Sequence, residues 1–111
     1  MRPEMVTTGL ELPGYRVNRN IGIVRGIVVR SRSLIGNFAG GLQVLFGGNI
    51  TVYTNLCERT RTDSYEMMCE HADRNGANAI LMMRYDANEI FSGVTEVICY
   101  GSAVIVERLR A

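Results

Sequence analysis

With 111 residues, 47% of them apolar and 21% charged, the chain is long enough for one domain with a single core and too apolar to be disordered. Its net charge of +1 gives no global field to draw in nucleic acid or anionic lipid. All twelve basic residues are arginine, which excludes a Walker-type phosphate loop and a Schiff-base lysine, since both need the amine.

Charge is unevenly placed. Residues 1–50 hold six Arg against two Glu, and residues 51–111 hold six Arg against nine acids. Such an asymmetry suits head-to-tail contact between copies and equally suits a solvated surface. No apolar run reaches the roughly 18 residues of a membrane span. Met1-Arg2-Pro3-Glu4-Met5 has no apolar stretch behind its charge, so no signal peptide and no membrane partner are expected. Three cysteines without paired spacing fit a reducing cytoplasm. No repeat, linker or low-complexity tract divides the chain, and residues 1–111 are read as one domain.

Met5 to Thr8 is a short β-branched piece, an extra N-terminal strand closed by Gly9 and Pro13-Gly14. From Tyr15 the pattern alternates. Val17, Ile21, Ile23, Ile27 and Val29 share one side. The other side begins polar at Arg16, Asn18 and Asn20 and turns apolar at Val24 and Val28. A strand apolar on both faces over half its length needs a second cover, and another subunit is a candidate. Ser33 then caps a short helix whose Leu34, Ile35, Phe38, Leu42, Leu45 and Phe46 fall at helical spacing, ended by Gly47-Gly48. Its glycines do not form G-x-G-x-x-G, and no strand feeds into them, so a phosphate cradle is not expected.

Val52 to Asn75 has no Gly or Pro in 24 residues and predicts a helix of about 36 Å, stopped by Gly76. Cys57, Thr60, Ser64, Met68, Ala72 and Asn75 form a stripe of small and medium residues suited to lie close on a sheet. Ala79 to Tyr85 predicts a strand and Asn88 to Gly93 a connection carrying Ile90-Phe91. Thr95 to Glu107 predicts a last strand, apolar on both faces, with a bend or bulge at Gly101. The expected fold is α+β: a small antiparallel sheet covered by one short and one long helix. Exposed apolar strand faces mark an interface, and head-to-tail contact that closes makes a ring.

Several of these features recur together, in order and at one spacing. Gly22-Ile23-Val24-Arg25-Gly26, Gly47-Gly48 with Tyr53 after it, Gly76-Ala77-Asn78-Ala79-Ile80, Asp86 and Gly101-Ser102-Ala103-Val104 anchor a match from Thr7-Thr8 to Val104. On these residues the chain resembles the YbjQ-like family, small and largely uncharacterised proteins labelled "putative heavy-metal-binding". The resemblance implies a β-α-β-β core of dodecin-like type and assembly into a ring, a homopentamer. It assigns no site residues, because the chain departs from the family at charged positions. Ile27 stands where many members carry Glu, Gly36-Asn37 and Gln43-Val44 replace Arg-Asp pairs, and Arg84 replaces an Asp.

The candidate metal ligands are Cys57, Cys99 and His71, with Cys69 nearby in sequence. A site needs its donors about 2.0–2.3 Å from one ion. On one helix Cys57 and His71 lie about 21 Å apart by rise, and Cys69 and His71 point to opposite sides. Two readings stand beside each other. In one, the cysteines are small core hydrophobes and His71 lies on a shoulder or interface. In the other, Cys57 and Cys99 meet across elements, with His71 joining across an element or subunit boundary, to hold a soft metal ion. One histidine and no G-x-S-x-G assign no catalytic residue, and an enzyme with an inter-subunit active site is the alternative reading. Arg25, Arg30 and Arg32 form a basic cluster, but no interleaved aromatics accompany it, so nucleic acid is not the expected partner. The expectation is a non-catalytic, cytoplasmic, ring-forming binding or scaffold protein. Its ligand would be a small molecule or soft metal at subunit interfaces, and a purely structural ring is the third reading.

Overall fold

The alternating stretch forms strand β1 (Tyr15–Ser31), and the stretch free of Gly and Pro forms helix α1 (Ile50–Arg74). Strands β2 (Ala79–Phe91) and β3 (Val94–Arg108) follow as a hairpin. These elements belong to a computed structural model that describes residues 1–31 and 50–110. The expected short helix over Leu34 to Phe46, with its Ser33 cap and its glycine stop, lies outside the described residues. The three strands pair antiparallel in the order β1-β3-β2, so the described residues make an α+β unit of one helix on three strands.

Helix α1 ends where the sequence puts its stop. Gly76 takes φ +81° and its N–H donates to the Asp73 carbonyl at 3.1 Å, while the Ala77 N–H donates to the Ala72 carbonyl at 3.0 Å. These two bonds satisfy carbonyls the last turn leaves over. The predicted stripe is the buried one at Thr60, Ser64, Met68 and Ala72, whereas Cys57 and Asn75 at its ends are exposed. Beneath it lie Val24 and Gly26 of β1, Ile80 of β2, and Cys99 and Ala103 of β3. Gly26 is the point of closest approach. A Cβ there would fall inside the contact radius of the Ser64 carbonyl oxygen and 2.6 Å from the Met68 amide nitrogen. Both obstacles are helix backbone, which cannot swing aside.

The N-terminal segment covers part of the opposite face. Met5 and Leu12 pack with Ala79, Leu81, Val104 and Val106 in a second cluster. The expected N-terminal strand is instead a 3-10 turn (Pro3–Met5) and a single parallel bridge from Val6 to Ile80. Pro3 fixes the turn, and the chain then follows the outer edge of β2. The Thr7 N–H donates to the Ile80 carbonyl, and the Met83 N–H to the Thr7 carbonyl, both at 3.0 Å. Met82 and Met83 together oppose Gly101, and Met82 sits at φ +55°. The bulge expected at Gly101 is therefore in its partner strand.

Two register shifts in β1 change which side each residue faces. Val17 pairs with Val106, Arg19 with Ile105, Asn20 with Val104 and Gly22 with Ala103. Asn18 and Ile21 are the extra residues, and Ile21 thereby leaves the side of Ile23 and packs with the helix-side core. The expected connection over Asn88 to Gly93 is a correction of another kind. Pairing continues to Phe91 with Val94, leaving only Ser92-Gly93 as the turn, with Gly93 at φ +80° and its N–H on the Glu89 carboxylate at 2.8 Å.

Gly26→Ala is expected to cost about 2–3 kcal/mol in urea unfolding, because the methyl group meets backbone rather than a movable side chain. Gly9→Ala, whose Cβ would meet nothing closer than 3.5 Å, serves as the control and shifts stability by less than about 0.5 kcal/mol.

Candidate functional site

Chemistry-bearing side chains gather at two places on α1. The first is buried. Cys99 on β3 donates its S–H to the Met68 sulfur at 3.6 Å, with the Tyr85 hydroxyl close enough to act on its thiol. One residue beyond Met68, Cys69 has the Tyr65 hydroxyl as its neighbour, one turn back on the same helix. All three sulfur atoms belong to the core that includes Ala72, Ile80 and Ala103. Burial pushes both thiols up, Cys99 to about 11 and Cys69 in the same direction, and the tyrosine hydroxyls offset this only in part. Burial and the neighbouring Cys69 likewise push Tyr65 up to about 12. This is a set of neutral, protonated groups.

The second place is the first half of α1. Cys57 is the exposed cysteine, and it borders a cavity of about 230 Å3 with Leu56, Thr60, Arg61, Ala87 and Val97. Arg61 lies over the Tyr85 ring, 5.9 Å from its centre. At the other end of the helix the Nδ1 atom of His71 accepts the Arg25 amide hydrogen of β1 at 3.2 Å. That acceptor atom is occupied by the sheet edge. Of the basic cluster, Arg30 is tied to Asp63 at 3.2 Å, Arg25 is exposed, and Arg32 lies outside the described residues.

The structure does not bring Cys57 and Cys99 together. Cys99 touches Met68, eleven residues or about 16 Å of helix rise beyond Cys57. The cysteine that does share Cys99's surroundings is Cys69. Its spacing to Tyr65 and its place beside Met68 were visible in the sequence, but only the crossing of α1 over the sheet selects Cys99 as their neighbour. Every Cys, His, Asp and Glu of the chain lies among the described residues, and no three of them form a group fit to hold a metal ion.

A family model described as "putative heavy-metal-binding" matches residues 4–107. The chain is 65% identical over 106 residues to a UPF0145 protein of Chromobacterium violaceum, covering 96% of this chain and 91% of that one. It is 62% identical over 102 residues to a UPF0145 protein of Burkholderia thailandensis, covering 92% of each. A Burkholderia mallei relative of the same name is 61% identical over 102 residues. The chain belongs to this family. Its YbjQ-like membership agrees with the resemblance read from the glycine motifs, and the family description is the reason to test the donor set closely.

Among the described residues no three Cys, His, Asp or Glu side chains converge on one point. Cys69 and Cys99 are held as thiols by burial, with the Met68 thioether against Cys99, and a soft metal bound there would have to displace their protons. His71 would have to give up its bond to the Arg25 amide if it bound through Nδ1.

Two outcomes follow for the thiols. In the native protein near neutral pH, iodoacetamide is expected to alkylate Cys57 quickly and Cys69 and Cys99 only after denaturation, as read by intact mass. The unfolded chain also loses its thiol protons at lower pH than the folded one. Stability is thus complete below about pH 9 and falls as pH rises towards about 11, by the Cys99 shift, which Cys99→Ala should flatten in pH-dependent urea titrations.

Proposed function

We propose that this protein is a non-catalytic, ring-forming binding or scaffold protein of the cytoplasm, a homopentamer, whose ligand is a small molecule or soft metal ion held where subunits meet. The observation that carries the reading is the offset of α1. The helix lies chiefly over β1, less over β3, and scarcely touches β2. Its second half overhangs the outer edge of β1. There a groove of about 490 Å3 runs between Ile27, Val29 and Arg30 on the strand and Asp63, Glu66 and Met67 on the helix. Among the described residues, one edge of the sheet therefore has a roof and no strand, while the other has a strand and no roof.

A second copy fits that arrangement. Among the described residues, nothing pairs with the outer edge of β2 beyond Met83, and that stretch carries Ile90 and Phe91 at 45% and 70% exposure. Laid beside β1 of the next copy, it would gain the roof it lacks and supply the missing strand by main-chain pairing. Charge favours the match, since β1 carries four Arg and no acid, and β2 carries Asp86 and Glu89 against Arg84. The contact is heterologous, and where its rotation closes, repetition around an axis makes a ring. Ile23, 74% exposed on the sheet face away from α1, adds apolar surface for the same purpose.

For the ligand, Cys57 is the thiol that stands at the surface, so a soft metal shared between copies would draw on it. The free cysteines support the cytoplasmic assignment, being the state a reducing compartment maintains.

Phe91→Glu tests the assembly. Sedimentation equilibrium is expected to give a single multimer for the wild type and lighter species for the variant, with its far-UV spectrum retained. A wild type that sediments as a monomer removes the ring. In a copper(I) titration, Cys57→Ser is expected to abolish binding, whereas Cys99→Ser should not, and unchanged binding in both ends the metal branch.

A further inference from the structure

We propose that the cavity beneath the first half of α1 binds a small organic anion with an apolar body, a short aliphatic or aromatic carboxylate. This goes beyond the ring reading, because one chain supplies every lining residue described. The walls are Leu56, Cys57 and Thr60 from the helix and Ala87, Thr95 and Val97 from the strands, around about 230 Å3. The Thr60 hydroxyl is already committed to the Leu56 carbonyl at 2.9 Å, so the interior offers a ligand chiefly methyl and methylene groups, with the Thr95 hydroxyl as the polar exception. A ligand polar throughout would lose its water without replacement bonds there, and an apolar body would not. The volume is below the ~300–1,000 Å3 of drug-sized sites, which limits the occupant to a compact molecule and excludes a nucleotide or a peptide.

Charge at the rim selects the sign of the ligand. Arg61 lines the cavity and rests against the Tyr85 ring, and it makes no ion pair among the described residues. Glu58, one turn back, is not within ion-pair distance of it. A guanidinium laid on an aromatic face still has N–H donors along its plane, in the fork that fits a carboxylate. Arg30 is a second rim cation, partly neutralised by Asp63 at 3.2 Å. An apolar interior closed by an unpaired, stacked arginine is the complement of a monocarboxylate.

The test uses the intact protein with benzoate, benzyl alcohol and benzylamine as probes. Binding is followed by calorimetry, and alkylation of Cys57 by neutral iodoacetamide reports position. Benzoate is expected to bind and to slow Cys57 alkylation. Benzyl alcohol, lacking the charge-assisted bond, should bind about tenfold more weakly, and benzylamine not at all. Arg61→Gln should lower benzoate to the level of benzyl alcohol, and Ala87→Phe, which fills the cavity, should remove both. Three results would overturn the proposal: no benzoate binding, binding that leaves Cys57 alkylation unchanged, or affinity unaltered by Arg61→Gln. Sedimentation in parallel keeps the two readings apart, since a monomeric protein that passes these tests loses only the ring.

Discussion

Contact between the backbone of Gly26 and the α1 backbone at Ser64 and Met68 sets the geometry of this molecule. Glycine on the strand and serine on the helix let the two layers approach with no side chain between them. That approach brings Met68, Cys69 and Ala72 onto Cys99, Ala103 and Ile80 and so forms the helix-side core. It also fixes where the helix is not. Held over β1, α1 scarcely touches β2, overhangs the outer edge of β1, and leaves a gap around Leu56 and Thr60 that remains a cavity.

The same crossing decides the chemistry of the cysteines. Two of the three are carried into the core, where the low dielectric keeps them protonated and each has a tyrosine hydroxyl nearby. The third is left at the surface beside an arginine and an apolar hollow. A family described as "putative heavy-metal-binding" thus has here a member two of whose thiols behave as small hydrophobes. In the proposed assembly a second subunit would add ligands to the surface thiol.

Much of the fold was legible because its signals are local. The stretch without Gly or Pro gives α1, Gly76 gives its end, and the spacing of Thr60, Ser64, Met68 and Ala72 gives the buried stripe. What escaped depends on partners distant in sequence. Asn88 and Glu89 look like loop residues, yet they extend β2 because β3 offers them an edge and the turn needs only Ser92-Gly93. Ile21 keeps the period of Ile23 in sequence, but a bulge rotates it to the other face. Gly26 is visible as part of a glycine motif, while its reason is a helix backbone some forty residues later. At the site, the Cys57–Cys99 pairing followed residue type, and only the crossing of α1 over the sheet sets Cys99 against Met68, about 16 Å of helix rise from Cys57 of the same chain.

The central claim is that the roofed, strandless edge of one copy receives the bare strand of the next until the ring closes. Native mass spectrometry of the protein purified from cells tests it most directly. The account predicts one closed stoichiometry, five chains, with no ladder of intermediate or open-ended species. A stable monomer, or a symmetric dimer that grows no further, would contradict it.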